Sequence, residues 1–196
     1  MTAALDLIWE ESYGAVTIDD ICKRADVKKG SFYYFFHSKA DLAVAALERL
    51  WAEEWKPRLD QQFSPALEPL DRLTTYLEGV YTRNVESFKK HGRALGCPVF
   101  SVGSEVGTHD VDVSAKVREI VSRKWRYYES AIRDAIAQGS IEPGDPAKKA
   151  QMLGSLVEGA IGQSRVMNNP ELLRNLPTAA LEMLRARAVS SSGAGH

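Results

Sequence analysis

The sequence predicts an all-α protein, with a small N-terminal three-helix head set on a larger C-terminal helical body. Three observations predict it. Apolar residues recur at helical spacing along most of the chain, no segment alternates apolar and polar residues as a strand does, and the breakers fall between the stripes. No period repeats, and 196 residues suffice for one good core or for a small domain fused to a larger one.

The elements follow in order. Leu5, Ile8 and Trp9 give a short stripe that ends near Tyr13-Gly14. Thr17-Ile18-Asp19-Asp20 puts a hydroxyl where a helix should begin and an acid three residues on, so first-turn amides can be satisfied. Ile18, Ile21, Cys22 and Ala25 form the stripe of that second helix. Asp26 stands at the turn, as one of the few non-glycine types that tolerate a left-handed backbone, and Val27 is expected to plug the turn into the core. Lys28-Lys29-Gly30-Ser31 then opens a third helix with small and basic groups, followed by consecutive aromatics from Phe32 to Phe36. Phe32 and Phe36 are expected to be core. Ser38 should cap a fourth helix through Leu42, Ala46, Leu47, Leu50 and Trp51 toward Trp55, which Pro57 ends or bends.

Beyond a connection at Phe63 to Pro69, Leu70, Leu73, Leu77, Val80, Tyr81 and Phe88 mark a helix that stops before Gly92. Gly96-Cys97-Pro98 is a breaker, Val99 to Gly107 a short helix, and Thr108-His109-Asp110 a turn. The longest stripe runs from Val113 through Val117, Ile120, Trp125, Tyr128 and Ile132 to Ile136, ended by Gly139. Asp145 and Pro146 read as the cap and first residue of a helix lined by Leu153, Leu156, Val157, Ala160 and Ile161 that ends near Asn168-Asn169-Pro170. Leu181, Met183 and Leu184 belong to a last helix, and residues 189–196 read as a disordered tail.

Composition narrows the function. No stretch is apolar for long enough to span a bilayer, and the N-terminus lacks a basic-then-apolar signal pattern, so the expected location is cytoplasmic with no membrane partner. Cys22 and Cys97 are far apart and suggest no disulfide framework. His37, His91, His109 and His196 are scattered, none at metal-ligand spacing, and neither a phosphate-cradling glycine loop nor a nucleophile elbow is present. No cofactor, metal or catalytic residue is therefore expected, and the chain is not read as an enzyme. The net charge of −1 argues against a general nucleic-acid coat. Its distribution argues for a specific contact: Lys23, Arg24, Lys28, Lys29 and Lys39 cluster against Asp26 alone, where the helix-turn-helix grammar falls.

The run Val27-Lys28-Lys29-Gly30-Ser31-Phe32-Tyr33-Tyr34-Phe35-Phe36-His37-Ser38-Lys39, followed by Ala40-Asp41-Leu42, resembles the TetR/AcrR family of bacterial transcriptional regulators. Tyr13-Gly14 to Ile21 and Ala25-Asp26-Val27 resemble the family's upstream half. Asp26 stands where the family usually has glycine, and only Met1-Thr2-Ala3 precede the first helix, where relatives commonly carry a longer, often basic, segment. The resemblance implies a DNA-binding domain at residues 1–38 and a ligand-binding and dimerisation domain at 39–188. It places Lys28, Lys29, Gly30 and Ser31 at the major groove, Tyr33 and Tyr34 on phosphates or thymine methyls, and Lys39 and Thr17 on phosphates. Phe35 and His37 are further candidates.

The resemblance also implies a homodimer on double-stranded operator DNA, acting as a repressor that an unidentified small molecule releases. The small residues Gly154, Gly159, Ala160, Gly162 and Ser164 suit close helix approach at a dimer interface, or packing within one chain. Tyr76, Phe88, Phe100, Trp125 and Tyr128 are candidate pocket residues, with Glu158, Arg165, Gln163 and His91 as polar anchors; core packing is the plainer reading of each aromatic. Cys97 is a candidate thiol sensor, its pKa lowered if Lys89, Lys90, His91 and Arg93 fold over it, against an inert buried cysteine. Two alternatives stand beside the ligand-released repressor: a DNA-binding regulator without a small-molecule effector, and a sensor acting through Cys97. The fourth helix is expected to link head and pocket.

Overall fold

The computed structural model describes residues 1–107 and 109–186. The head consists of α1 (Thr2–Glu10), α2 (Ile18–Arg24) and α3 (Lys29–Phe35). A long rod follows: α4 (Lys39–Leu50), a π-helical turn (Trp51–Trp55) and α5 (Lys56–Gln62). The body adds α6 (Pro69–His91), α7 (Pro98–Val106), α8 (Val111–Ala137), α9 (Pro146–Val166), a 3₁₀ turn (Pro170–Leu173) and α10 (Leu176–Leu184). Among the described residues the only extended pairing is an isolated antiparallel bridge between Ile141 and Ala186. No helix there is long and apolar enough to cross a membrane. The expected turn residue Thr108, the tail 189–196 with His196, and the end of the expected body lie outside the described residues.

The caps act as the side chains dictate. Thr17 accepts from the Asp20 amide while the Asp20 carboxylate accepts from the Thr17 amide, a complete capping box. Ser38, Asp110 and Asp145 cap α4, α8 and α9, and Gly92 closes α6 at φ 68°. Asp26 holds the helix-turn-helix corner at φ 52° without glycine. Of the two outcomes expected at Pro57, an end is excluded. The rod stays helical past it, because the preceding residues switch to a π turn and the Lys56 amide donates to the Trp51 carbonyl five residues back. A wider turn absorbs the missing N–H and the ring, and the chain continues as α5.

The central strut is α8, which packs against α4, α6, α7 and α9. Its buried stripe runs Val113, Val117, Ile120, Lys124, Tyr128, Ala131, Ile132 and Ala135, the three- and four-residue steps of one helix face. Leu73 and Leu77 of α6 are fully buried, each contributing on the order of 1.5–3 kcal/mol. Arg72 is buried too, satisfied by Asp134 at 2.6 Å and by the carbonyls of Leu67 and Pro65. One apolar expectation fails. Val27 is 47% exposed, because its backbone closes the turn on the Cys22 carbonyl while Ile21, Cys22 and Phe32 fill the space beneath. In α10 the buried face is Leu176, Ala180 and Leu184, with Leu181 and Met183 beside it rather than on it.

Candidate nucleic-acid interface

The third helix is short, so it can bury only one large side chain. Phe32 takes that place at 5% exposure, and Phe36 packs at its edge. The remaining aromatics face outward: Tyr33 at 49%, Phe35 at 70% and Tyr34 at 82%. Tyr34 and Phe35 meet edge to face, 4.8 Å between centroids. Lys28 is the extended N-cap residue of α3, and Lys28, Lys29, Gly30 and Ser31 are all exposed in its first turn. A Cβ at Gly30 would meet nothing within 4 Å, so the first turn can lie close to another surface. An exposed face that is both basic and aromatic suits phosphate oxygens together with base edges and methyl groups.

Several of the expected contacts are already committed inside the head. Lys29 pairs with Asp19 at 2.8 Å across the helix-turn-helix, with both side chains solvent-exposed, so the pair can open for a phosphate. The Thr17 hydroxyl is shared with Asp20, whose carboxyl Thr17 holds below the usual range. Lys39 differs from its expected role as a phosphate clamp. Its ammonium donates to the carbonyls of Tyr13 and Val16 at 2.8 and 2.9 Å and lies 4.4 Å from the Tyr13 ring centre. It fastens the α1–α2 loop to α4. The His37 side chain is exposed, and its backbone amide donates to Asp41.

The body brings some of its candidates together and separates others. Tyr76 and Tyr128 are buried, share a hydroxyl–hydroxyl hydrogen bond and meet at a tilt with centroids 5.1 Å apart. Burial, reinforced by Tyr76, pushes the Tyr128 phenol well above its ordinary value. Glu158 forms a buried ion pair with Lys124, and one Glu158 oxygen is left without a partner. Trp125 packs on the Gly154 backbone, where a Cβ would collide with the indole. Phe88 is half-buried, and Phe100, 47% exposed, faces out from α7 rather than inward. Arg165 donates to Ser101 and leans on Gly96. His91 lies against Trp9, the rings tilted and 6.2 Å apart, beside Glu10, so it belongs to the junction with the head, and Gln163 is exposed.

Cys97 corrects the expectation of an activated thiol. Burial pushes it up to about 12, Glu158 adds to that, and Lys124 opposes it. The basic groups proposed to activate it lie elsewhere: Arg93 is bound to the Glu10 carbonyl, His91 sits beside Glu10, and Lys89 and Lys90 face solvent. The sequence analysis missed Lys124, because a lysine within an apolar stripe reads as solvated until α9 supplies Glu158. It also missed the head–body junction. Trp9 donates to the Gly96 carbonyl at 3.0 Å, and Glu105 of α7 accepts from the Tyr13 and Gly14 amides at 2.8 and 2.5 Å. Tyr13 also donates to Asp110 at 3.2 Å. The head is thus joined to the body through α1 and α7 as well as through α4.

Comparison with known proteins agrees with this geometry. Residues 1–46 match the family described as bacterial regulatory proteins, tetR family, and residues 69–180 match the tetracyclin repressor-like C-terminal domain. The chain is 32% identical over 176 residues to the transcriptional regulator AcuR of Cereibacter sphaeroides, covering 88% of this chain and 78% of AcuR. It is 28% identical over 174 residues to the HTH-type transcriptional repressor NemR of Escherichia coli, covering 86% and 83%. The crystal structure of the reduced form of E. coli NemR superposes with a TM-score of 0.81 at 26% identity, covering 96% of each chain. That of a regulatory protein TetR from Rhodobacter sphaeroides also gives 0.81, at 30% identity and 93% and 95% coverage. This chain belongs to the TetR family of bacterial regulatory proteins and is a DNA-binding transcriptional regulator.

Proposed function

We propose that the protein is a homodimeric repressor of a partly palindromic operator, released when a small molecule binds the helical body. The head, residues 1–38, reads DNA through Lys28, Lys29, Gly30, Ser31, Tyr33 and Tyr34; residues 39–188 bind the ligand and dimerise. The observation that carries the release step is the junction: Trp9 on Gly96 and the α1–α2 loop on Glu105. A ligand that moves α7 or α8 must therefore move the head, and it releases DNA only if it binds the incompetent spacing of two heads more tightly. Dimerisation is supported by the open small-residue face of α9. Cβ atoms at Gly159 and Gly162 would meet nothing within 4 Å, and Met152, Val166 and Met167 are exposed on the same helix and just beyond it. Gly154 and Ser164, by contrast, are buried within the chain.

The test is operator binding by fluorescence anisotropy with sedimentation in parallel. We expect a dimer at micromolar concentration, salt-sensitive preference for an operator selected from random duplexes, and loss of both dimer and affinity in Gly159→Leu. A stable monomer, or equal affinity for random and selected duplexes, would sink the reading. A second reading, release through Cys97, is favoured by one observation: Cys97 follows Gly96, whose carbonyl holds Trp9. If Cys97→Ser abolishes release by every compound that acts on the unmodified protein, that reading replaces the first.

A further inference from the structure

Arginines in this chain are mostly neutralised. Arg24, Arg49, Arg72, Arg123, Arg133 and Arg174 each face a carboxylate within 3.1 Å. Arg118 and Arg126 are exposed to solvent. Arg58 of α5 and Arg83 of α6 fit neither pattern. Both are half-buried, neither makes an ion pair among the described residues, and they lie close enough for the charge of Arg58 to act on Arg83. Burial pushes both guanidinium groups below their ordinary values and Arg58 pushes Arg83 further, while Glu54 beside Arg58 and Glu86 beside Arg83 offset this only in part. Two desolvated like charges destabilise a fold unless an anion joins them.

The surroundings are shaped for that pair. A Cβ at Gly79 would stand 2.6 Å from Arg83 Nη1 and 3.1 Å from Gln62 Nε2, so the missing side chain makes room for both donors in one place. Tyr76 lies within electrostatic reach of both arginines, and its hydroxyl pair with Tyr128 needs an acceptor for its outer proton that no described residue supplies. Phe63 completes an aromatic wall, 5.5 Å from the Tyr76 ring centre and 5.9 Å from that of Tyr128. Arg83 and Gln62 meet at Gly79, Arg58 stands one turn before Gln62 on α5, and Tyr76 stands three positions before Gly79 on α6, so one seam carries several donors beside rings that suit an organic tail.

We propose that the seam between α5 and α6 binds a small organic carboxylate, its anionic group held between Arg58 and Arg83. Its regulatory meaning rests on the effector reading above; the binding itself does not. The test is calorimetric titration of the full chain with benzoate, propionate, benzamide and inorganic phosphate. Benzoate or propionate should bind and raise Tm, benzamide should bind at least about tenfold more weakly, and phosphate should not displace the carboxylate. Arg58→Gln and Arg83→Gln should each weaken carboxylate binding at least about tenfold, roughly the worth of one charge-assisted contact. Arg118→Gln, which removes an exposed charge, should leave it unchanged. Without ligand, Arg83→Met should raise Tm by about 2–4 °C, since it removes a buried like charge. Failure of both carboxylates to bind, equal binding of acid and amide, tighter binding of phosphate, or wild-type affinity in both glutamine variants overturns the proposal. Arginine-dependent carboxylate binding that leaves the operator complex intact keeps this site and defeats the effector reading. Release by a neutral compound, unchanged by Arg83→Gln, does the reverse when no carboxylate binds.

Discussion

The aromatic residues of the head and of the body lead opposite lives. In α3, Tyr33, Tyr34 and Phe35 stand half to fully in water, although each carries a large apolar surface. In the body, Phe63, Tyr76 and Tyr128 pack ring against ring, between 0% and 8% exposed. The hydrophobic effect explains the second group and opposes the first. The difference teaches where selection for stability stops. A seven-residue helix anchored by Phe32 alone leaves its outer aromatics with no partner in the chain, so their surface is available to the DNA that the family binds. The charged groups repeat the contrast: Lys29 meets Asp19 in solvent, whereas Lys124 meets Glu158 out of it.

The contrast breaks most visibly at the buried pair. Lys124→Met should cost about 3–5 kcal/mol in chemical denaturation, because Glu158 is left charged and alone. Lys124→Met with Glu158→Leu should recover most of that loss, and an unrecovered double variant would show that the pair does more than neutralise itself. The next effect falls on DNA. Tyr34→Ala with Phe35→Ala should weaken operator binding on the order of 10²-fold. The same pair of changes should move stability by no more than about 0.5 kcal/mol. A collapse of Tm instead would place those rings in the core. Thr17→Ala should cost about 1 kcal/mol by opening the capping box, measurable by urea denaturation of the full chain.

The smallest effect is a drift with pH. Burial, with Asp110 beside Tyr13 and Asp60 beside Tyr127, pushes both phenols up to about 12. A tyrosine whose folded pKa lies above its unfolded value near 10 adds stability below that value, and loses it as pH rises to the folded value. Tm should therefore fall between about pH 10 and pH 12, with phenolate absorbance rising in step. Tyr13→Phe should blunt that fall at the junction of head and body. A flat Tm across that window would show that neither hydroxyl is held as the geometry requires.

Much of this was legible in the letters. Thr17 and Asp20, Ser38, Asp145 and the positive φ at Asp26 are local events, settled by a side chain and the backbone within a few residues of it. The burial of Phe32 followed from the shortness of its helix, and the long stripe of α8 from its own periodicity. The exposed basic and aromatic face of the third helix was legible for the same reason, since a helix-turn-helix is a contiguous motif.

What the letters could not carry is pairing across distance. Lys39 reads as a free cation until the α1–α2 loop presents the Tyr13 and Val16 carbonyls to it. Cys97 reads either as an inert buried thiol or as one activated by basic neighbours, until burial and Glu158, 61 positions further along, raise it. Pro57 reads as a stop or a bend, and the π turn ahead of it keeps the chain helical. Caps, turns and periodic faces are decided by interactions a turn or so long, and one sequence specifies them. The state of a charge or a thiol depends on which groups share its low-dielectric surroundings, and only the tertiary structure decides those.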